Sequence, residues 1–352
     1  MSKTNQGNFF EDFMLGQIIE HPTARTITDA DASLYIALTG SRFSLFCNEH
    51  YAKQLGFTRQ PLDNFLVFNI AFGKTVQDVS LNAVANLGYA ELQFYLPTYC
   101  GDTLSVVSEV IGLKENSNGK TGIVYVHSKA FNQHGHLVLS WKRWVMVHKR
   151  IQGMHNTFAV EPQLQSSVTL SDISVPDSFN STHYDTSISG EKFLFADYEK
   201  GEWIDHVDGL TIDHSEHTMA TKLYQNSAKV HFNHHQMVNS PHHQRLVYGG
   251  HIISLCRTIS HNGLANALWL AAINAGAHTN PTYAGDTIYA ATQVVDTFDK
   301  GLGFGVLRLR TVGFKNIEWR DIKDSVTFDE NGKKSYHPQV VLDLDYSVII
   351  AK

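Results

Sequence analysis

Two stretches in the C-terminal half carry the residues best suited to chemistry. The first reads LYQNSAKVHFN and places Asn226 shortly before His231. The second reads RLVYGGHIISL, in which Tyr248, Gly249 and Gly250 open an apolar run of helical character. An imidazole changes protonation near neutral pH, so His231 suits proton transfer. An amide does not act as a base, which limits Asn226 to orienting a water molecule or fixing His231 by hydrogen bonds. Gly249 and Gly250, without side chains at a helix start, offer backbone N–H groups to an oxygen that comes close. Asp63, at the matching helix entry LDNFLVF of the N-terminal half, is a candidate to add a carboxylate to the same site, as a proton-transfer group or a substrate contact.

Each of these residues also has a plain structural reading. With 20 histidines in the chain, one histidine carries little weight by type alone. Asparagine is common in turns and caps, and paired glycines can be no more than a tight helix entry. The stretch with His231, His234, His235, His242 and His243 lacks a His-Glu-x-x-His pattern, so no metal is expected. The fragment GKT at 73–75 and 120–122 lacks the preceding glycine spacing of a phosphate-binding loop.

The elements that must position these residues come in two copies. LPTYCGDTLSVVSEV at 96–110 is answered by NPTYAGDTIYAATQV at 280–294. FEDFMLGQIIEH is answered by FADYEKGEWIDH, and RWVMVHK by YSVIIAK. Ordered matches at near-constant spacing mean one fold used twice, at a length far beyond solenoid repeats. The expected units are 9–150 and 191–352, joined by a polar, Ser/Thr-rich connection over 151–190. Each unit reads as a strand, a helix with acids in its first turn, a longer apolar helix and three closing strands. Thr28 or Asp29 caps the first of these helices. A long apolar helix followed by long antiparallel strands predicts an α+β fold, a twisted sheet curled around a central helix, with the two units paired edge to edge. Asp102 and Asp286 stand in both copies of Gly-Asp-Thr and therefore read as turn residues. Where the C-terminal copy has Asn226 and His231, the N-terminal copy has Ser41 and Phe46, and its helix entry has no glycine. One site rather than two is expected.

On these motifs the chain resembles the MaoC-like (R)-specific enoyl-CoA hydratases, whose fold is the hot dog. His231 falls on the family's histidine, Asn226 on its aspartate, Gly249 on its glycine and Tyr248 on its second-motif histidine. The longer strings SLNAVANLGYAE, IGLKENSNGKTG and LYQNSAKVHFN extend the resemblance over essentially the whole chain, to a branch that adds water reversibly to a branched, dicarboxylic enoyl-CoA. The resemblance implies a double hot-dog hydro-lyase. Its partner is an acyl-CoA thioester substrate, and it uses no separate cofactor because CoA belongs to the substrate. It implies His231, Asn226 and Gly249 as catalytic and sets Tyr248 at the site; Gly250, Tyr248 and Asp63 are the expected substrate contacts. Asn226 in place of the family's aspartate departs from a two-base mechanism. A thioesterase on the same fold and a non-catalytic acyl-CoA-binding protein are the alternative readings.

Composition sets the remaining bounds. A net charge of −6 gives no basic footprint for nucleic acid. No apolar run reaches the ~18 residues of a membrane span, and MSKTNQGNFFEDF has no apolar signal core. Three cysteines without framework spacing make the cytoplasm the expected compartment. Assembly into a homo-oligomer is compatible with the sequence.

Overall fold

A computed structural model describes residues 3–153, 159–330 and 333–352. The N-terminal unit begins with β1 (Ile18–Thr26) and α1 (Asp29–Thr39). Thr28 caps α1: its hydroxyl accepts the Asp31 N–H while the Asp31 carboxylate accepts the Thr28 N–H, a reciprocal capping box. The long apolar helix α2 (Asn64–Thr75) is buried along its whole length. Strands β2 (Ala83–Phe94), β3 (Thr103–Glu115), β4 (Thr121–Phe131) and β5 (Leu137–His148) follow. The C-terminal unit repeats the order with β6 (Trp203–Asp205), α3 (His214–Leu223), α4 (Gly249–Ile259), β7 (Trp269–His278), β8 (Thr287–Gly301), β9 (Phe304–Lys315) and β10 (Val340–Ala351). The charged segment between β9 and β10 adds a short helix, Trp319–Ile322, and a hairpin, Thr327–Glu330 with Lys333–Tyr336.

The strands β1 to β10 join one antiparallel sheet in the order β1-β3-β4-β5-β2-β7-β10-β9-β8-β6. The units meet at β2 and β7, where Tyr89 faces Gly276, Ala90 faces Ala275 and Leu92 faces Ile273. Each unit's open edge is thereby paired with the other's. Strand residues alternate between buried and half-exposed, as in β3, because one face covers a helix. The helices also touch each other. Asn69 of α2 donates from its amide to the Gly250 carbonyl and the Ser254 hydroxyl of α4, both at 3.2 Å. A Cβ on Gly250 would lie 2.0 Å from Asn69 Oδ1, so this crossing requires glycine. The connection between units packs Phe179 against Phe57 of one unit and Phe304 of the other, at ring separations of 5.5 and 4.5 Å. Among the described residues no helix is long and apolar enough to cross a membrane.

Two repeated sequence features turn out to be structural. Asp102 accepts the Tyr99 N–H at 2.8 Å and Asp286 accepts the Tyr283 N–H at 2.9 Å, each closing the turn that starts a strand. The histidines ending the IIEH and WIDH strings anchor matching hydrogen-bond ladders inside the sheet. His21 Nε2 pairs with Ser108, and Ser108 with Ser128, at 2.8 and 2.7 Å. His206 donates from Nδ1 to the Asn262 carbonyl at 2.6 Å, which leaves Nε2 to accept from Thr292 at 2.7 Å. Thr292 pairs onward with Thr311 at 2.7 Å, and Thr311 with the Tyr346 hydroxyl at 3.0 Å. Thr292→Val keeps the shape and removes the middle of this ladder, leaving a buried ring nitrogen without a donor. The expected cost is about 1–3 kcal/mol in urea unfolding; an unchanged midpoint would mean that the ladder adds no stability.

Candidate active site

A cavity of about 390 Å³ opens beside the N-terminus of α4, within the size range of small-molecule sites. Both units line it. The N-terminal unit supplies Phe72, Asn86, Tyr89 and Arg143; the C-terminal unit supplies Asn226, His231, Tyr248, Gly249 and His278.

The entry to α4 is open because its N-cap residue is a tyrosine, which makes no side-chain cap. The first N–H groups of a helix have no partner within the helix, so Gly249 presents a donor, reinforced by the helix dipole, at the cavity wall. Glycine is required here: a Cβ on Gly249 would lie 2.5 Å from the His278 ring. The Tyr248 ring lines the cavity 5.5 Å from that of His231. Its buried hydroxyl has no hydrogen-bond partner among the described residues.

His231 ends a single 3-10 turn, Lys229–His231. Its Nδ1 lies 3.0 Å from the Leu246 carbonyl, so Nδ1 carries the proton and Nε2 the free lone pair. Burial pushes the imidazole down to about 4, against the opposing effect of the Leu246 carbonyl. It is therefore neutral at physiological pH, with Nε2 able to accept a proton. Asn226 also reaches the cavity, but its Oδ1 accepts the Ala228 N–H at 2.9 Å and shapes the turn that leads to His231. Its amide NH₂ has no partner among the described residues.

Two expected residues lie elsewhere. Gly250 does not line the cavity; it is buried under Asn69 at the helix crossing. Asp63 does not line it either. Its carboxylate caps α2 by accepting the Phe65 N–H at 2.8 Å. Burial pushes the Asp63 carboxyl up to about 6, offset by that N–H and by the Arg257 guanidinium. The N-terminal helix entry is closed by its own cap, with Phe65 where α4 has Gly250 and Phe46 where His231 would stand, both buried.

His278 and Arg143 are cavity residues that the motifs did not single out. His278 ends β7, and its Nε2 lies 3.3 Å from the Tyr89 hydroxyl. Burial and then the neighbouring His231 push it down to about 4. A signal was present in the repeat. Aligning Pro281 with Pro97 sets His278 on Phe94, the same exchange that sets His231 on Phe46. Among the described residues no three His, Cys, Asp or Glu side chains are placed to hold a metal ion.

Burial lowers His206, His217, His231, His261 and His278 each to about 4. The unfolded chain binds these protons from about pH 6.5 downward and the native state does not, so stability is lost as pH falls between 6.5 and 4. Each histidine contributes up to ~1.4 kcal/mol per pH unit. Asp63, raised to about 6, acts in the opposite sense, since the native state takes up its proton first. One carboxyl against five histidines leaves a net loss, expected at roughly a few kcal/mol between pH 7.5 and 5 in urea unfolding. Stability that is flat over this range would contradict five histidines held neutral in the folded protein.

Similarity to known proteins agrees with this geometry. A family model for mesaconyl-CoA hydratase matches residues 1–323. A β-methylmalyl-CoA dehydratase from Chloroflexus aurantiacus is 51% identical over 100% of this chain and 99% of its own length. A mesaconyl-CoA hydratase from Cereibacter sphaeroides is 48% identical over 99% of this chain and 100% of its own. A crystal structure from Chloroflexus aurantiacus, described as a MaoC domain protein dehydratase, superposes with a TM-score of 0.95 over 100% of this chain and 99% of that one, at 51% identity. A double hot-dog protein from Mycobacterium tuberculosis, at 23% identity and a TM-score of 0.72, shares the fold over 97% of this chain and 98% of its own. The chain belongs to the mesaconyl-CoA hydratase family, the branch that its longer strings resemble, and its fold is the MaoC-like double hot dog.

Proposed function

We propose that the chain is a hydro-lyase that adds water reversibly to the double bond of mesaconyl-CoA, giving β-methylmalyl-CoA. The observation that carries the reading is a neutral histidine with its Nε2 free, in the same cavity as an uncapped helix N-terminus.

The thioester oxygen accepts from the Gly249 N–H, where an enolate charge would be stabilised. His231 Nε2 takes a proton from water as the water oxygen bonds to the β-carbon. The π electrons of the double bond move onto the thioester as an enolate. The His231 imidazolium then returns its proton to the α-carbon, which restores the neutral base and completes the addition. No Asp or Glu among the described residues lines the cavity, and His231 is the imidazole with a free Nε2 beside the helix entry, so it takes both proton transfers. His278, neutral and tied to Tyr89, and the free amide NH₂ of Asn226 are placed to orient the water.

Thioester hydrolysis fits less well. It calls for a carboxylate or a strong nucleophile at the helix entry, and the cavity has neither carboxylate nor thiol among the described residues.

Loss of the enoyl-thioester absorbance reports hydration, and thiol release reports hydrolysis. His231→Ala should lower kcat by at least ~10² while urea unfolding shows a folded protein, because general acid–base groups contribute ~10²–10⁴. Near-normal activity would remove His231 from the mechanism. Asn226→Asp preserves the acceptor for the Ala228 N–H but loses the amide donor. A marked fall in kcat with unchanged unfolding is expected; full activity would show that the amide donor is not needed and that a carboxylate serves in its place.

A further inference from the structure

Arg143 lies where the strand pattern calls for an apolar side chain. On β5 it shares the inward face with Trp141 and Val145, and its backbone partner across the sheet is Tyr89 of β2. It is 1% exposed. One terminal nitrogen donates to the Thr75 hydroxyl at 2.7 Å, and both lie 3.4 Å from the Ser80 hydroxyl. Thr75 spends its own proton on the Phe72 carbonyl, so it faces the guanidinium as an acceptor. The guanidinium carbon sits 4.2 Å from the centre of the Phe72 ring. These partners are all neutral. The arginines on β9 differ: Arg308 holds Asp345 at 2.6 Å and Arg310 holds Asp343 at 2.8 Å. Buried Arg257 has Asp63 as a charged neighbour.

A buried charge without a counter-ion costs several kcal/mol. Burial lowers Arg143 only to about 10, so it stays charged at neutral pH. It lines the cavity, and among the described residues no Asp, Glu or Lys does. Further polar atoms at the same wall also lack partners among the described residues: Arg143 Nε, both amide atoms of Asn86, and the Tyr248 hydroxyl. A planar anion with two oxygens would answer the charge and these donors together. In the C-terminal copy the residue matching Arg143, from RWVMVHK over YSVIIAK, is Tyr346. The cation is thus not part of the repeated fold.

We propose that Arg143 binds the free carboxylate of the substrate and sets the preference for dicarboxylic over monocarboxylic acyl-CoA. The proposal builds on the hydratase reading above. In a fumaryl skeleton the free carboxylate is attached to the β-carbon, the atom that water attacks. A guanidinium holding it fixes that carbon relative to His231 and cancels a negative charge beside the nucleophile. Asn86 and the Tyr248 hydroxyl supply further donors to the same carboxylate.

The test compares ligands that differ in one group. Succinyl-CoA and butyryl-CoA are unreactive to hydration and differ by a terminal carboxylate against a methyl. Calorimetry on the unmodified protein should show succinyl-CoA binding at least ~10-fold tighter, and Arg143→Gln should abolish that preference. For turnover, Arg143→Gln should lose ~10² or more in kcat/KM for mesaconyl-CoA while crotonyl-CoA hydration changes little. Arg143→Lys, which keeps the charge, should recover part of the preference. Equal binding of the two ligands by the unmodified protein would overturn the proposal without use of any variant. An equal loss on mesaconyl-CoA and crotonyl-CoA by a folded Arg143→Gln would also overturn it, by making the residue structural. A clear succinyl-CoA preference without hydration of mesaconyl-CoA would leave the anchor standing and sink the hydratase reading.

Discussion

Two helices of this chain are buried on nearly every side, polar residues such as Asn69, Ser254 and Arg257 included, and each must be covered all round. α2 is buried from Asn64 to Thr75, and α4 from Gly250 to Ile259. No flat sheet can cover such a helix, so each unit's strands curl around it. Curling leaves edges at β2 and β7, and pairing these edges puts the helices side by side under one sheet. Contact at Asn69 and Gly250 then fixes where α4 begins. The cavity forms at that point, between the start of one helix and the strands of the other unit.

The two helix entries show how one scaffold gives two outcomes. Asp63 satisfies the first N–H groups of α2 from within the chain. Tyr248 cannot do so for α4, and its helix start is left for a ligand oxygen. Phenylalanines fill the N-terminal copy where the C-terminal copy has His231 and His278. Burying those rings adds to the core, whereas burying two imidazoles costs proton affinity. That cost is the depression of both histidines to about 4, and it delivers a base that is unprotonated at neutral pH.

The fold was legible because the repeat was. Matching Gly-Asp-Thr turns and three closing strands per copy fix topology by comparing the chain with itself. His231 and Gly249 were legible because local strings carry them, and the structure brings both to one cavity. His278 was half legible, since the Phe94 comparison contained it but no motif drew the eye there. Arg143 was hidden in the string WKRWVMVHK, where a basic residue beside Lys142 reads as surface-facing although the alternation with Trp141 and Val145 puts it on the inward face. Only its contacts reveal a charge inside the sheet. Asp63 and Gly250 were misplaced for a related reason. Sequence spacing locates a helix entry, but not whether a side chain turns back to cap it or a crossing helix covers it.

The seam has a consequence for how the protein behaves when dilute. In a pair of identical chains every substitution appears twice, so closing one helix entry would close both. A covalent connection, pinned through Phe179 to Phe57 and Phe304, lifts that symmetry. Each half is free to diverge, one keeping its helix entry capped and the other leaving it open. A site shared by two separate chains loses half its wall below their dissociation constant. Tethering turns that encounter into an intramolecular one, at an effective concentration on the order of mM for short linkers. The cavity therefore keeps both its walls at any protein concentration.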